Sequence, residues 1–320
     1  MEAKKYLEPD ANPVCRSYKG TAHERNEDRM MQMEVGPVLV LGVFDGISGH
    51  RGGDEAAEVC ADTISEVLPG LMGRRSIRDA AMETLCEAQA RLLARQRETP
   101  EYAAMGCTAT ILLIDREARM VSIVNVGDSA AFRIRKGRIG KLTVDDTPCG
   151  GAIDRGEMRR KEARRVPGGF RLTKWMGMPG NPVPRYSVTS IAPGDVFLVS
   201  TDGLHGYLSK RRIRGIVSRA GSPEDAVRRL RGEAVTRGGS RDDITVQLYR
   251  QPVAEERRPA PASGRLLRAA AVLVLILAAL WVGFVLGERS GDSLKEVFTP
   301  LMTLFHLVPG QNQTDNVKTI

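Results

Sequence analysis

Apolar, β-prone runs in this chain keep stopping at an aspartate. Residues 38–44 (VLVLGVF) run into Asp45, residues 121–127 into Asp128, and residues 196–201 into Asp202. Asp242-Asp243 stands immediately before residues 244–249 (ITVQLY), and Asn26-Glu27-Asp28 before another β-prone stretch. A lone Asp-Gly at a strand end is an ordinary turn in which the carboxylate caps local backbone. Several such ends imply a common place, because antiparallel strands can bring their ends together. Carboxylates gathered there repel one another and resist burial. Hard divalent cations remove that penalty. With oxygen donors only, and no His or Cys partner at ligand spacing, the pattern selects Mg²⁺ or Mn²⁺ over zinc. The glycines at 46, 49, 52 and 53 would let a ligand or ion approach the backbone after Asp45 closely.

The rest of residues 12–250 reads as one α+β unit. Residues 53–68 and 76–96 carry apolar side chains at helical spacing. The period then shifts: residues 108–114 and 121–126 form a hairpin pattern, as do 130–135 and 139–142 around Lys136-Gly137. Further strands are expected at 196–200 and 244–249, and Ser222-Pro223 opens a helix as N-cap and first turn. Hairpins without βαβ alternation predict mainly antiparallel sheet with helices packed on it. Residues 145–190, rich in Gly, Pro and Arg, read as one long irregular segment with a functional reason to exist.

The hydrophobic fraction of 42% is ample for a core, and five widely spaced cysteines without a CxxC pair argue for reduced thiols. Residues 269–287 (AAAVLVLILAALWVGFVLG) carry no charge and approach the length that spans hydrocarbon. The domains expected are therefore 1–250, a linker 251–265, a transmembrane helix 266–287 and a short extracytoplasmic tail 288–320. Arg257, Arg258, Arg265 and Arg268 precede the span while Arg289 and Lys295 follow it, which keeps the large domain cytoplasmic. The net charge of +8 falls in clusters such as Arg159-Arg160-Lys161 and Lys210-Arg211-Arg212 without interleaved aromatics. That disfavours nucleic acid and leaves solvated helix faces or anionic membrane lipid as the readings.

Seven blocks, in order and covering roughly residues 14–250, carry a resemblance: 26–28 (NED), 43–46 (VFDG) with Gly49-His50 and Gly53, 106–108 (GCT), 125–129 (NVGDS), 143–145 (TVD), 195–203 (DVFLVSTDG) and 239–246 (GSRDDITV). At these residues the chain resembles the metal-dependent serine/threonine protein phosphatases of the 2C class, the PPM family. The resemblance implies two packed antiparallel sheets flanked by helices, with Mn²⁺ or Mg²⁺ at one end of the sandwich. It implies that Asp45 bridges two ions, that Gly46 lends its carbonyl, and that Asp202 and Asp242 complete the first ion's set. Glu27 and Asp28 act largely through water, and Asp128 matches the position of a third, weaker ion. A water activated by the metal pair then attacks phosphorus in line, with no phosphoenzyme.

Some positions depart from the family pattern. His23 stands where an arginine usually grips the substrate phosphate, so His23 and Arg25 are the phosphate-binding candidates. Ile47 leaves no general acid after Asp-Gly, Asp146 stands where His is common, and Asp243 where Asn is common. His50 is expected only to orient its loop. The implied activity is a membrane-anchored phosphatase acting on phosphoserine and phosphothreonine in proteins, opposing a serine/threonine kinase pathway. The alternative is a weak or inactive phosphatase-like scaffold that binds phosphoproteins, which His23 favours; a small phosphate ester is a third substrate class.

Overall fold

The computed structural model describes residues 12–47, 52–253 and 278. The chain divides into two compact units, Met1–Val253 and Ala254–Ile320, and every element named below belongs to the first. The expected membrane span 266–287, the tail 288–320, most of the linker 251–265, and Gly49-His50 lie outside the described residues. Among the described residues no helix is long and apolar enough to cross a membrane.

Among the described residues ten strands form two sheets, and every neighbouring pair is antiparallel. One sheet runs β1 (Val14–Tyr18), β10 (Ile244–Arg250), β9 (Val196–Ser200), β6 (Ala130–Arg135), β7 (Arg138–Lys141). The other runs β2 (Asp28–Val35), β3 (Val38–Asp45), β4 (Ala109–Asp115), β5 (Met120–Val126), β8 (Arg185–Ser190). Strand alternation divides β3 between two cores: Leu39, Leu41 and Val43 meet Phe197 and Val199 between the sheets, while Val38, Val40 and Phe44 face outward. Outside that face lie α1 (Gly53–Leu71) and α2 (Ile77–Glu98), packing Cys60, Ile64, Leu85 and Leu92 onto it. Burial on both faces explains why β3 reads as an unbroken apolar run rather than an alternating one.

The outer face of the first sheet is covered by α6 (Lys210–Arg219) and α7 (Pro223–Thr236) through Ile213, Val217, Val227 and Leu230. Ser222 Oγ accepts the Asp225 N–H at 3.1 Å, the cap expected from the sequence. Thus the basic run at 210–214 is one face of an amphipathic helix. The segment expected to be irregular contains two short helices, α3 (Gly150–Asp154) and α4 (Arg160–Ala163), and ends in the edge strand β8. Its fastenings are specific. Lys141 Nζ lies 2.5 Å from Asp145 and 3.2 Å from Asp154. Buried Asp146 accepts the Gly127 N–H at 3.1 Å and Arg185 Nε at 3.0 Å.

Candidate active site

The strand ends meet. In the β2–β3 register Asp28 lies directly opposite Asp45. Asp202 opens α5 (Asp202–His205) immediately after β9, and Asp242-Asp243 precedes β10, the strand that pairs with β9. Asp128 occupies the β5–β6 turn. Threonines fix these ends: Thr201 Oγ1 donates to Asp28 Oδ2 at 2.8 Å and accepts the Thr245 N–H at 3.0 Å. Thr108 Oγ1 accepts the Asp45 N–H at 3.1 Å, and the Thr108 N–H donates to the Asp45 carbonyl at 2.8 Å.

Glycine is required where the loops touch. A Cβ on Gly46 would stand 2.8 Å from the Glu27 carbonyl oxygen and would also run into the Gly53 carbonyl. A Cβ on Gly203 would collide with the Asp243 carbonyl. So Glu27, Gly46 and Gly53 converge, as do Asp202-Gly203 and Asp242-Asp243.

The electrostatics match the placement. Burial, followed by Asp28, Asp202, Asp128 and Asp242, raises the Asp45 carboxyl well above its ordinary range. Burial pushes Asp28 up to about 8, opposed by hydrogen bonds from Thr245 and Thr201 and reinforced by Asp243 and Asp202. Asp202 is pushed up to about 6, first by burial and then by Asp242, with Arg160 opposing. Burial and then Asp202 and Asp145 raise Asp128, and burial raises Asp242. Asp45, Asp128, Asp202 and Asp242 all remain partly exposed, so this is an acidic cleft open to water rather than a sealed cluster.

Such a cleft fits hard cations: oxygen donors alone, excess negative charge, and bare backbone at Gly46. As the side chains lie, no three His, Cys, Asp or Glu among the described residues close on one point as an ion-gripping set. Asp28 and Asp242 are turned onto local donors, Thr201 Oγ1 and the Asp243 N–H at 3.0 Å.

The two phosphate-binding candidates face carboxylates. His23 Nδ1 lies 3.4 Å from Asp243 Oδ2 and 3.8 Å from Asp242 Oδ1. Arg25 projects into solvent, 84% exposed, with Nη1 3.7 Å from Asp54 Oδ2. Buried Asp243 accepts the Gly20 N–H at 2.6 Å and the Glu27 N–H at 2.8 Å, so it splices three loops together. No motif in the sequence marks His205. It is buried, with Nε2 3.1 Å from the Asp128 carbonyl oxygen and Nδ1 3.2 Å from Ser200 Oγ. Burial, aided by Lys141 and Arg160, holds its pKa well below the usual value. A neutral ring donating from Nε2 and accepting at Nδ1 satisfies both contacts.

A two-sheet sandwich flanked by helices, with loop carboxylates gathered at one end, defines the class. A model of the protein phosphatase 2C family matches residues 19–231. The chain belongs to that family. It is 26% identical over 235 residues to the serine/threonine protein phosphatase PstP of Mycobacterium tuberculosis, covering 73% of this chain and 43% of that protein. The chain thus spans less than half the length of that relative. Among solved structures it is similar to the PPM Ser-Thr phosphatase MsPP of Mycobacterium smegmatis in complex with cacodylate, with a TM-score of 0.62 and 27% identity, covering 75% and 97% of the two chains. It also shares the fold of the catalytic domain of PstP in complex with two manganese ions, with a TM-score of 0.63 and 22% identity, covering 75% and 97%.

Proposed function

We propose that the chain is a metal-dependent phosphatase that hydrolyses phosphoserine and phosphothreonine in proteins, using two Mn²⁺ or Mg²⁺ ions. The observation that carries this reading is the register pairing of Asp28 with Asp45 beside Asp202 and Asp242, in a chain of this family. Asp45 would serve both ions, with Gly46 offering its carbonyl and Asp202 and Asp242 completing the first ion's set; Glu27 and Asp28 would act through water, and Asp128 would serve a third, weaker ion. When bound, the ions lower the pKa of a water and neutralise the phosphoryl oxygens.

The residues of the chain supply order. Thr201 holds the Asp28 carboxylate, Thr108 holds the Asp45 backbone, Asp243 locks the Gly20 and Glu27 loops to the Asp242 loop, and His205 holds the Asp128 carbonyl. Ile47, directly after Asp45-Gly46, offers no acid, so the proton for the leaving-group oxygen is assigned to solvent water.

The substrate must come from a serine/threonine kinase. The 19-residue uncharged run 269–287, flanked on its amino side by Arg257, Arg258, Arg265 and Arg268, supports a membrane tether with the phosphatase domain cytoplasmic. Alkaline carbonate extraction tests the tether: the protein stays with the membrane, whereas release into the supernatant would refute it.

His23 in the place of an arginine favours the scaffold as a second reading. Phosphate release from a phosphothreonine peptide, with Mn²⁺ and with EDTA, separates the two. Release that needs Mn²⁺ supports the phosphatase; phosphopeptide binding without turnover in saturating Mn²⁺ supports the scaffold.

A further inference from the structure

Both residues expected to grip the phosphate face acids, His23 toward Asp243 and Asp242 and Arg25 toward Asp54. A doubly charged phosphate ester approaching an acidic cleft still needs a cation of the protein's own. We propose, resting on the phosphatase reading, that Arg160 fills this role: its guanidinium lies against the Asp202 turn at the cleft and grips the phosphate oxygens of the substrate.

Arg160 begins α4, in the segment between β7 and β8. Its Nη2 is 3.4 Å from the point where a Cβ on Gly206 would stand. The Gly206 N–H in turn donates to the Asp202 carbonyl at 2.7 Å, so the guanidinium borders the turn that carries Asp202. One helical turn along, Arg164 Nη2 donates to the Gly206 carbonyl at 3.2 Å and ties α4 to that same turn. The Arg160 guanidinium carbon stands 4.9 Å from the Phe170 ring centroid, a stack that fixes the plane of the fork before any ligand arrives.

Several neighbouring cations of this segment are already committed, while Lys161, Arg165 and Arg171 are exposed to solvent. Arg155 pairs with Glu157, Arg159 with Glu162, and Arg185 with Asp146. The Arg160 guanidinium has no hydrogen bond or ion pair among the described residues, and it is half-buried rather than free in solvent.

A planar fork accepts two phosphate oxygens at once, which lysine cannot reproduce. The competing role is charge balance, in which Arg160 merely offsets the acids. Arg160→Met, Arg160→Lys and a control, Arg159→Met, made in the full chain and loaded with Mn²⁺, separate the two roles. The readouts are KM and kcat on a phosphothreonine peptide, inhibition by inorganic phosphate, and Mn²⁺ affinity by calorimetry.

For Arg160→Met, KM and the inhibition constant for phosphate rise together by about ten- to a hundredfold, the worth of a charge-assisted hydrogen bond. In that variant kcat falls less, and Mn²⁺ binds as tightly or more tightly because a nearby positive charge is gone. Arg160→Lys recovers part of the loss, and Arg159→Met matches the wild type. An unchanged phosphate constant in Arg160→Met overturns the proposal, and weaker Mn²⁺ binding there would mark a structural role. Should the wild type release no phosphate from any peptide, the phosphatase reading fails separately. Calorimetric binding of inorganic phosphate to the Mn²⁺-loaded proteins then decides the role of Arg160 by the same comparison.

Discussion

Asp28 and Asp45 face each other where β2 begins and β3 ends, and Thr201, from the opposite sheet, donates to Asp28 at 2.8 Å. One carboxylate therefore ties the two sheets together at the place where the other acids gather. Burial and like charge make that arrangement costly when the carboxyls ionise, and the cost is what a cation would relieve.

That cost has a pH signature. Asp28 is pushed up to about 8, far above its unfolded value. An acid with a raised folded pKa lends stability below the unfolded value and loses it as pH rises through the folded one. His205 opposes this only weakly: its depressed folded pKa keeps it neutral in the folded chain, and the unfolded chain gives up its remaining half proton between pH 6.5 and 8, worth about 0.4 kcal/mol. In EDTA, the melting temperature is expected to fall by about 5 °C between pH 6.5 and 8. Mg²⁺ should raise it more at pH 8 than at pH 6.5. A flat profile in EDTA would show that Asp28 is ionised throughout.

Gly46→Ala tests the convergence of loops. The new methyl group would meet the Glu27 and Gly53 carbonyls, both backbone, so the loops must part. The expected loss of stability is about 1–3 kcal/mol by urea unfolding. Calorimetry should show Mn²⁺ affinity falling with it, and a variant that binds Mn²⁺ like the wild type would argue against a ligand role for this loop.

Asp243→Asn keeps the shape and removes one acceptor. The carboxylate takes N–H groups from Gly20 and Glu27, on separate oxygens. An amide would leave one of those donors facing another donor, at about 1–3 kcal/mol. The urea midpoint should drop with the slope unchanged. A neutral result would mean that the loop relaxes at no cost, and that Asp243 does not splice it.

Much of this was legible in the sequence because it is local. The run 38–44 and the Ser222-Pro223 start name their elements, and the aspartates that end or precede strands name the cleft. What escaped depends on distant pairing. β8 (RYSVTS) is an edge strand with mostly exposed side chains and no apolar run, so only its pairing with β5 defines it. α6 did carry a signal, Ile213, Ile216 and Val217 at helical spacing, but it was masked by its arginines. The His205 contact with Asp128 and the Asp243 contacts with Gly20 and Glu27 join residues far apart in the chain, which no local pattern reports. His23 reads as a phosphate ligand by alignment of motifs, yet its carboxylate neighbours become visible only when the Asp242 loop folds over it.

The most direct test of the whole account is Mn²⁺-dependent phosphate release from a phosphothreonine peptide, compared between the wild type and Asp45→Asn, with circular dichroism confirming that both are folded. Release is expected to vanish in EDTA and to fall at least about a thousandfold in Asp45→Asn, since one residue is assigned to both ions. Release that survives either change would contradict a reaction built on the Asp28–Asp45 pair.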